Sequence, residues 1–258
     1  MSSFSDSNTS ALKYRKRQVA RDGLEQLVKL PEEAMQCHLL EEWLNGDLAF
    51  QERALWIIEE IFDQAAHNGM NGRSLFKPAH LSLLSLKHSH RLKLMIKAKQ
   101  IELDFVRTCL WASLIPAQSL HSSERHNLAS DHNGRTLTLG ERRSLARKPS
   151  IRGIERLLLD SDPLVLKHLL QNPRLTENLV LKIASARPQK TQVLLMIFEH
   201  TVWGFRREVQ RSLCLNPSSP LSIRCALCST LNREELKELL REHQIPRPLK
   251  AAINKQLA

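Results

Sequence analysis

Apolar residues recur at three- and four-residue steps along most of this chain. The clearest case is residues 47–69, DLAFQERALWIIEEIFDQAAHNG, where Leu48, Leu55, Ile58, Phe62 and Ala65 fall mostly on one side of a helix. Asp47 supplies an N-cap acceptor, and Asn68 with Gly69 supplies a stop. Pro31, Glu32 and Glu33 mark the first turn of a preceding helix that should end at Asn45 to Asp47. Proline loses no needed N–H there, and carboxylates favour the positive end of the helix dipole. A first helix is expected to start near Ala11, and later ones to cover Pro78 to Leu86, His90 to Lys99 and Glu102 to Leu114, the last presenting Phe105, Cys109 and Leu110 as apolar material. Residues 1–10 are Ser-rich and polar and are expected to be disordered, leaving 11–115 as a helical bundle.

The periodicity disappears at 116–139, PAQSLHSSERHNLASDHNGRTLTL, where Ser, His, Asn and Gly gather. Such a segment buries too little apolar surface to order itself, so it reads as a flexible linker and a domain boundary. Beyond it, residues 140–258 fall into short leucine-rich blocks punctuated by proline. Pro149 and Pro173 lie 24 residues apart, and Pro173 and Pro217 lie 44 apart. The second interval joins equivalent places. LKHLLQNPRLTENLVLKIA and QRSLCLNPSSPLSIRCALC share an apolar helix, an Asn-Pro break, a Ser/Thr-type cap and another apolar helix, which is the signature of an internal repeat.

A helix of about ten residues is marginal alone in water and must be held by its neighbours. Proline ends the helix before it and is tolerated in the first turn of the next, so each Asp-Pro or Asn-Pro break is tight and successive helices can stack in order. The expectation is an all-α protein, an N-terminal helical bundle followed by a short HEAT-like α-solenoid whose outward residues line a continuous surface. LLLDSDPLVLKHLLQNPRLTENLVLKIASARP and REVQRSLCLNPSSPLSIRCALCSTLNREELKELL resemble the HEAT-like and leucine-rich-variant repeat proteins of bacteria over residues 140–258. That resemblance implies a repeat fold and a bacterial setting, and no particular reaction.

Composition adjusts this picture in three ways. The net charge of +11 would ordinarily suggest nucleic acid or an anionic surface, but blocks of opposite sign alternate: residues 31–69 carry −8 and residues 70–115 carry +6. An acidic stretch followed by a basic one can neutralise itself by packing face to face, which discounts the total. The five cysteines, an odd number without a secretory leader, imply a reduced, cytoplasmic setting. No apolar run reaches the roughly 18–20 residues of a spanning helix, so no membrane insertion is expected.

The candidate chemistry is sparse. Cys214 with Cys225 and Cys228 is the one cysteine cluster, and some leucine-rich-variant proteins carry an iron–sulfur cluster. Here, however, the cysteines sit in apolar helices without a fourth ligand, and a core role is preferred, with no metal and no cofactor. His88, His90, His121, His126 and His132 lie in or near polar segments without carboxylates at ligand spacing. No zinc-protease, nucleophile-elbow or phosphate-loop motif occurs. Asp160, Asp162 and Trp203 could be offered for the roles of an alkylpurine DNA glycosylase, another small basic helical solenoid. The DSDP turn instead explains the aspartates as helix caps. Four basic runs stand out: KYRKR, KHSHRLKLMIKAK, ERRSLARK and GFRREVQR. In the last, Trp203 and Phe205 flank Arg206 and Arg207, which suits phosphate contact and base stacking or, as preferred here, a solvated helix edge that meets a protein. The expected function is a non-enzymatic adaptor binding another protein through Arg174, Trp203, Arg206, Arg207 and Arg211, with nucleic-acid binding as the rival.

Overall fold

The computed structural model describes residues 3–67, 69–115, 129–130, 134–158, 160, 162–241 and 245–257. It is all-α. The helices are α1 (Ser3–Val28), α2 (Glu33–Asn45), α3 (Leu48–Ala66), α4 (Met70–Ser85), α5 (His88–Gln100), α6 (Asp104–Leu114), α7 (Leu139–Arg147), α8 (Ile151–Leu157), α9 (Pro163–Leu170), α10 (Glu177–Ser185), α11 (Thr191–Glu199), α12 (Arg207–Leu215), α13 (Leu221–Leu227), α14 (Arg233–Leu240) and α15 (Arg247–Leu257). Short 3-10 turns occur at Trp203–Phe205 and Cys228–Thr230. Among the described residues the only β pairing is an isolated antiparallel bridge between Ser130 and Thr136.

The chain forms two compact units. Unit 1 comprises residues 1–116 and 221–258, and unit 2 comprises 117–220. The single repeat domain expected over 140–258 is therefore divided at Pro220. In unit 1, α3 packs on α1, α2 and α4, and α6 packs on α5, α13 and α15. The last two contacts give the physical reason for the division. Val106, Cys109 and Leu110 of α6 are buried, as are Ile223 and Leu227 of α13 and Leu249 and Ile253 of α15. The apolar face of α6 thus takes up the end of the chain. Ile57, Ile58, Ile61 and Phe62 of α3 are fully buried, and the rings of Phe62 and Phe105 lie 4.9 Å apart. At Gly72 a Cβ would stand 2.3 Å from Ala65 N, so only glycine permits the close approach of α4 to α3.

Several expected boundaries move. The helix begins at Ser3, not near Ala11, because no proline or glycine interrupts residues 3–22 and each residue added to an existing helix gains a backbone hydrogen bond. Pro31 precedes α2, whose N-cap is Glu32. Pro78 lies inside α4, which continues through it to Ser85. The loss of one N–H is tolerated where Leu75, Phe76, Pro78 and Ala79 are all buried and α2 and α3 hold the helix. Leu48 is exposed, although the rest of the predicted α3 face is buried as expected. Asp47 does cap α3, accepting from the N–H groups of Ala49 and Phe50, both at 2.9 Å. Helix α6 starts at Asp104, because Glu102, with φ of 61°, closes α5 in a left-handed conformation while Leu103 N–H donates to Ala98 O at 2.8 Å.

Of the predicted linker, residues 116–128 and 131–133 lie outside the described residues, His121, His126 and His132 among them, as does the Asn68 of the expected helix stop. The described remainder belongs to unit 2: Leu137 N–H donates to Ala129 O at 2.9 Å, and Ala129 is buried. In unit 2 α7 contacts α9, α9 contacts α11, and α10 contacts α12.

The charge alternation is partly settled inside unit 1. Lys77, fully buried, pairs with Glu33 at 2.9 Å, and Lys97 pairs with Glu52, so two basic side chains of the +6 block meet carboxylates of the −8 block.

Candidate partner-binding edge

The Asn-Pro breaks at 172 and 216 are the best starting point, because both asparagines are buried and both make the same bonds. Asn172 Nδ2 donates to Ala146 O at 2.7 Å and Lys148 O at 2.9 Å, while its Oδ1 accepts from Arg174 N–H at 3.0 Å. Asn216 Nδ2 donates to Ala184 O at 2.7 Å and Ala186 O at 3.0 Å, and its Oδ1 accepts from Ser218 N–H at 2.9 Å. Each asparagine follows one helix and satisfies the C-terminal carbonyls of the helix two before it, α7 for Asn172 and α10 for Asn216. The C-terminal ends of α7 and α9 are thereby joined, as are those of α10 and α12. Arg187 reinforces the second pair by donating from Nη2 to Leu215 O at 2.6 Å.

The N-terminal ends differ. Thr138 and Glu141 form a capping box on α7, Ser150 caps α8, and Asp162 caps α9 by accepting from the N–H groups of Leu164 and Val165. In contrast, Thr176 before α10, Lys190 before α11 and Arg206 before α12 make no side-chain capping bond. Arginines stand at the starts of the α10 and α12 pair. Arg174 is exposed just before α10; Arg206 and Arg207 are exposed at the first residues of α12. Arg206 Nε lies 3.9 Å from Glu177 Oε2, which ties the start of α12 to the start of α10, three residues after Arg174. Arg211, four residues after Arg207, continues that face and is half-buried. Positive side chains at the positive ends of helix dipoles favour an anion, and Glu177 and Glu208 in the first turns of α10 and α12 supply part of that negative charge.

Trp203 sits differently. It is half-buried, and its Nε1 donates to Leu170 O, the last residue of α9, at 3.2 Å. The indole closes a helix end in unit 2. Phe205 rather than Trp203 is the aromatic exposed beside the arginines.

The two aspartates of the DSDP turn divide their work. Asp162 is the cap of α9 that the sequence predicts, whereas Asp160 is buried and ion-paired with Arg142, itself buried in α7. Asp160 also accepts from Asp162 N–H at 2.9 Å. The ERRSLARK run is thus not a wholly solvated face. Sequence reasoning missed Arg142 and the double role of the asparagines; the 44-residue recurrence of Asn-Pro was the available signal for the second.

Cys214 lies in unit 2, whereas Cys225 and Cys228 lie in unit 1; all three are buried free thiols. Burial, the neighbouring Cys225 and Glu59 push the Cys109 thiol well up, as suits a core residue. Among the described residues no three His, Cys, Asp or Glu side chains converge as a metal would require. A cleft of about 310 Å³ in unit 1 is lined by residues that include Lys16, Trp56, Glu59, Asp63, Glu102 and Lys255. Its half-buried carboxylate, Glu59, accepts from Phe105 N–H at 3.2 Å and Val106 N–H at 2.8 Å, so it caps α6 from a distance. Burial raises the pKa of Glu59, and those two N–H groups oppose the rise. No described helix is long and apolar enough to cross a membrane. Comparison with protein-family models, with curated proteins and with solved structures returns no match to this chain.

Proposed function

We propose that the protein is a non-enzymatic adaptor of the bacterial cytoplasm, in which unit 2 is a short HEAT-like stack that binds an acidic segment of another protein along the starts of α10 and α12. The observation that carries this reading is the contrast in capping. Thr138, Ser150 and Asp162 satisfy the starts of the three preceding helices, while α10 and α12 begin without a side-chain cap and with Arg174, Arg206 and Arg207 exposed there. Carboxylates of a partner would meet both the guanidinium groups and the dipole ends, and Phe205 offers an apolar contact at the same place. The free thiols support a reducing compartment. Trp203 is half-buried with its N–H on a helix carbonyl, so in the rival nucleic-acid reading base stacking at this edge would fall to the exposed Phe205.

The test is a titration of a labelled Glu-rich peptide, of single-stranded DNA and of duplex DNA on the intact chain. Peptide binding that falls at least about tenfold in the Arg206→Glu, Arg207→Glu double variant is the expected result. Tighter binding to DNA, weakening steeply with salt, would replace the adaptor by a nucleic-acid binder. A pull-down that recovers the same proteins with the parent and the double variant would move the interface elsewhere.

A further inference from the structure

The basic run KHSHRLKLMIKAK becomes α5, at the margin of unit 1, where it packs on α6 and touches α3. Leu94 and Ala98 are its buried residues. At 100° per residue the opposite crest is Ile96, with Leu92 one turn before it, and these aliphatics are 50% and 42% exposed. Four of the helix's residues are Lys or Arg and none is acidic. They divide in two. Arg91 Nη1 donates to Ser113 O at 3.0 Å and Lys97 pairs with Glu52, so both serve unit 1. Lys93 and Lys99 are exposed and lie on either side of the Leu92–Ile96 crest, with His88 beyond them at the start of the helix. The Lys97–Glu52 pair also brings the first turns of α3 beside α5, and Leu48 and Phe50 are exposed there.

We infer that this face of α5 docks on an anionic lipid surface, with Ile96 and Leu92 seated at the headgroup boundary and Lys93 and Lys99 on the lipid phosphates and carboxylates. Three properties select that occupant. An aliphatic crest between lysines combines the two contributions that hold an interfacial helix, buried apolar area and attraction to negative lipid. The surface is a ridge on a single helix, which suits a yielding bilayer, whereas a partner helix would seek a groove. Nucleic acid would set the aliphatic crest against phosphate with no gain from burying it. Such seating involves side chains at the interface and is distinct from spanning, for which no described helix is suited.

The experiment is co-sedimentation of the intact chain with vesicles of phosphatidylcholine alone and of phosphatidylcholine containing about one third phosphatidylserine, at low and physiological salt. Binding to the mixed vesicles only is expected. It should weaken about fivefold in Lys93→Gln or Lys99→Gln, and about tenfold in Ile96→Ser, which leaves the charge unchanged. Thermal melts of the three variants should match the parent, because all three side chains are exposed. No binding to the mixed vesicles overturns the inference, as does binding that these variants leave intact. The inference concerns unit 1 alone. If Arg206→Glu with Arg207→Glu abolishes vesicle binding while the α5 variants retain it, the lipid face is the arginine edge and the role given to α5 is wrong.

Discussion

The two ends of the helices in unit 2 are finished by different rules. At the C-terminal ends Asn172 and Asn216, 44 residues apart in sequence, repeat one hydrogen-bond pattern atom for atom. At the N-terminal ends the pattern changes along the chain, from the caps Thr138, Ser150 and Asp162 to the uncapped starts at Thr176, Lys190 and Arg206. Carbonyls buried between packed helix ends must be satisfied, and an asparagine does this at both places. Exposed N–H groups can be satisfied by water, which leaves those positions open to serve something else.

The strongest way to break this comparison is to remove a buried partner. Arg142→Ala should destabilise the protein by about 3–5 kcal/mol in urea unfolding, because the buried Asp160 charge loses its cation and keeps the bond from Asp162 N–H. If the loss is below about 1 kcal/mol, the pair is screened by solvent and the aspartate belongs with the surface caps. Next come the asparagines. Asn172→Ala and Asn216→Ala should each cost about 2–3 kcal/mol, since each strands two carbonyls at helix ends. Equal costs would sharpen the equivalence of the two breaks, and a difference well beyond about 1 kcal/mol would show that the shared geometry hides unequal packing. The third test works at the other end. Asp162→Ala should cost about 1 kcal/mol, whereas Arg206→Asp, which supplies an acceptor at a bare N-cap, should raise stability by up to about 1 kcal/mol while weakening the acidic peptide. A variant that loses both stability and binding would show that Arg206 is structural, for instance through its contact with Glu177.

The smallest effect is a pH dependence confined to the α7 cap. The Glu141 carboxyl is held down to about 2, first by the Arg135 side chain and then by the N–H and hydroxyl of Thr138. A depressed folded pKa means that the contribution is complete above the ordinary carboxylate range and is lost as pH falls through about 2. Amide exchange in the first turn of α7 should therefore accelerate on acidification, while the starts of α10 and α12, which lack such a carboxylate cap, should show no matching step. Equal acceleration at all three would mean that unit 2 loosens as a whole.

Residue by residue, the sequence carried the local part of this structure. The amphipathic rhythm of residues 47–67 marks α3, Asp47 and Asp162 sit where caps are required, and the Asn-Pro breaks fall at equivalent ends. Each of these depends on side chains within a few residues of one another, so the periods and cap positions alone suffice. Of the residues the sequence singles out, Arg174, Arg206 and Arg207 are exposed and Arg211 is half-buried, all of which charge alone suggests, whereas the bond from the Trp203 indole to Leu170 O is a long-range contact that no local pattern announces. What tertiary structure alone decided was which distant pieces meet. It buried Arg142 against Asp160, carried α4 through Pro78, and laid α13 and α15 on α6. Apolar burial has no direction and no fixed sequence separation, so the partner of an apolar face is chosen by the whole chain's packing and by no short stretch of it.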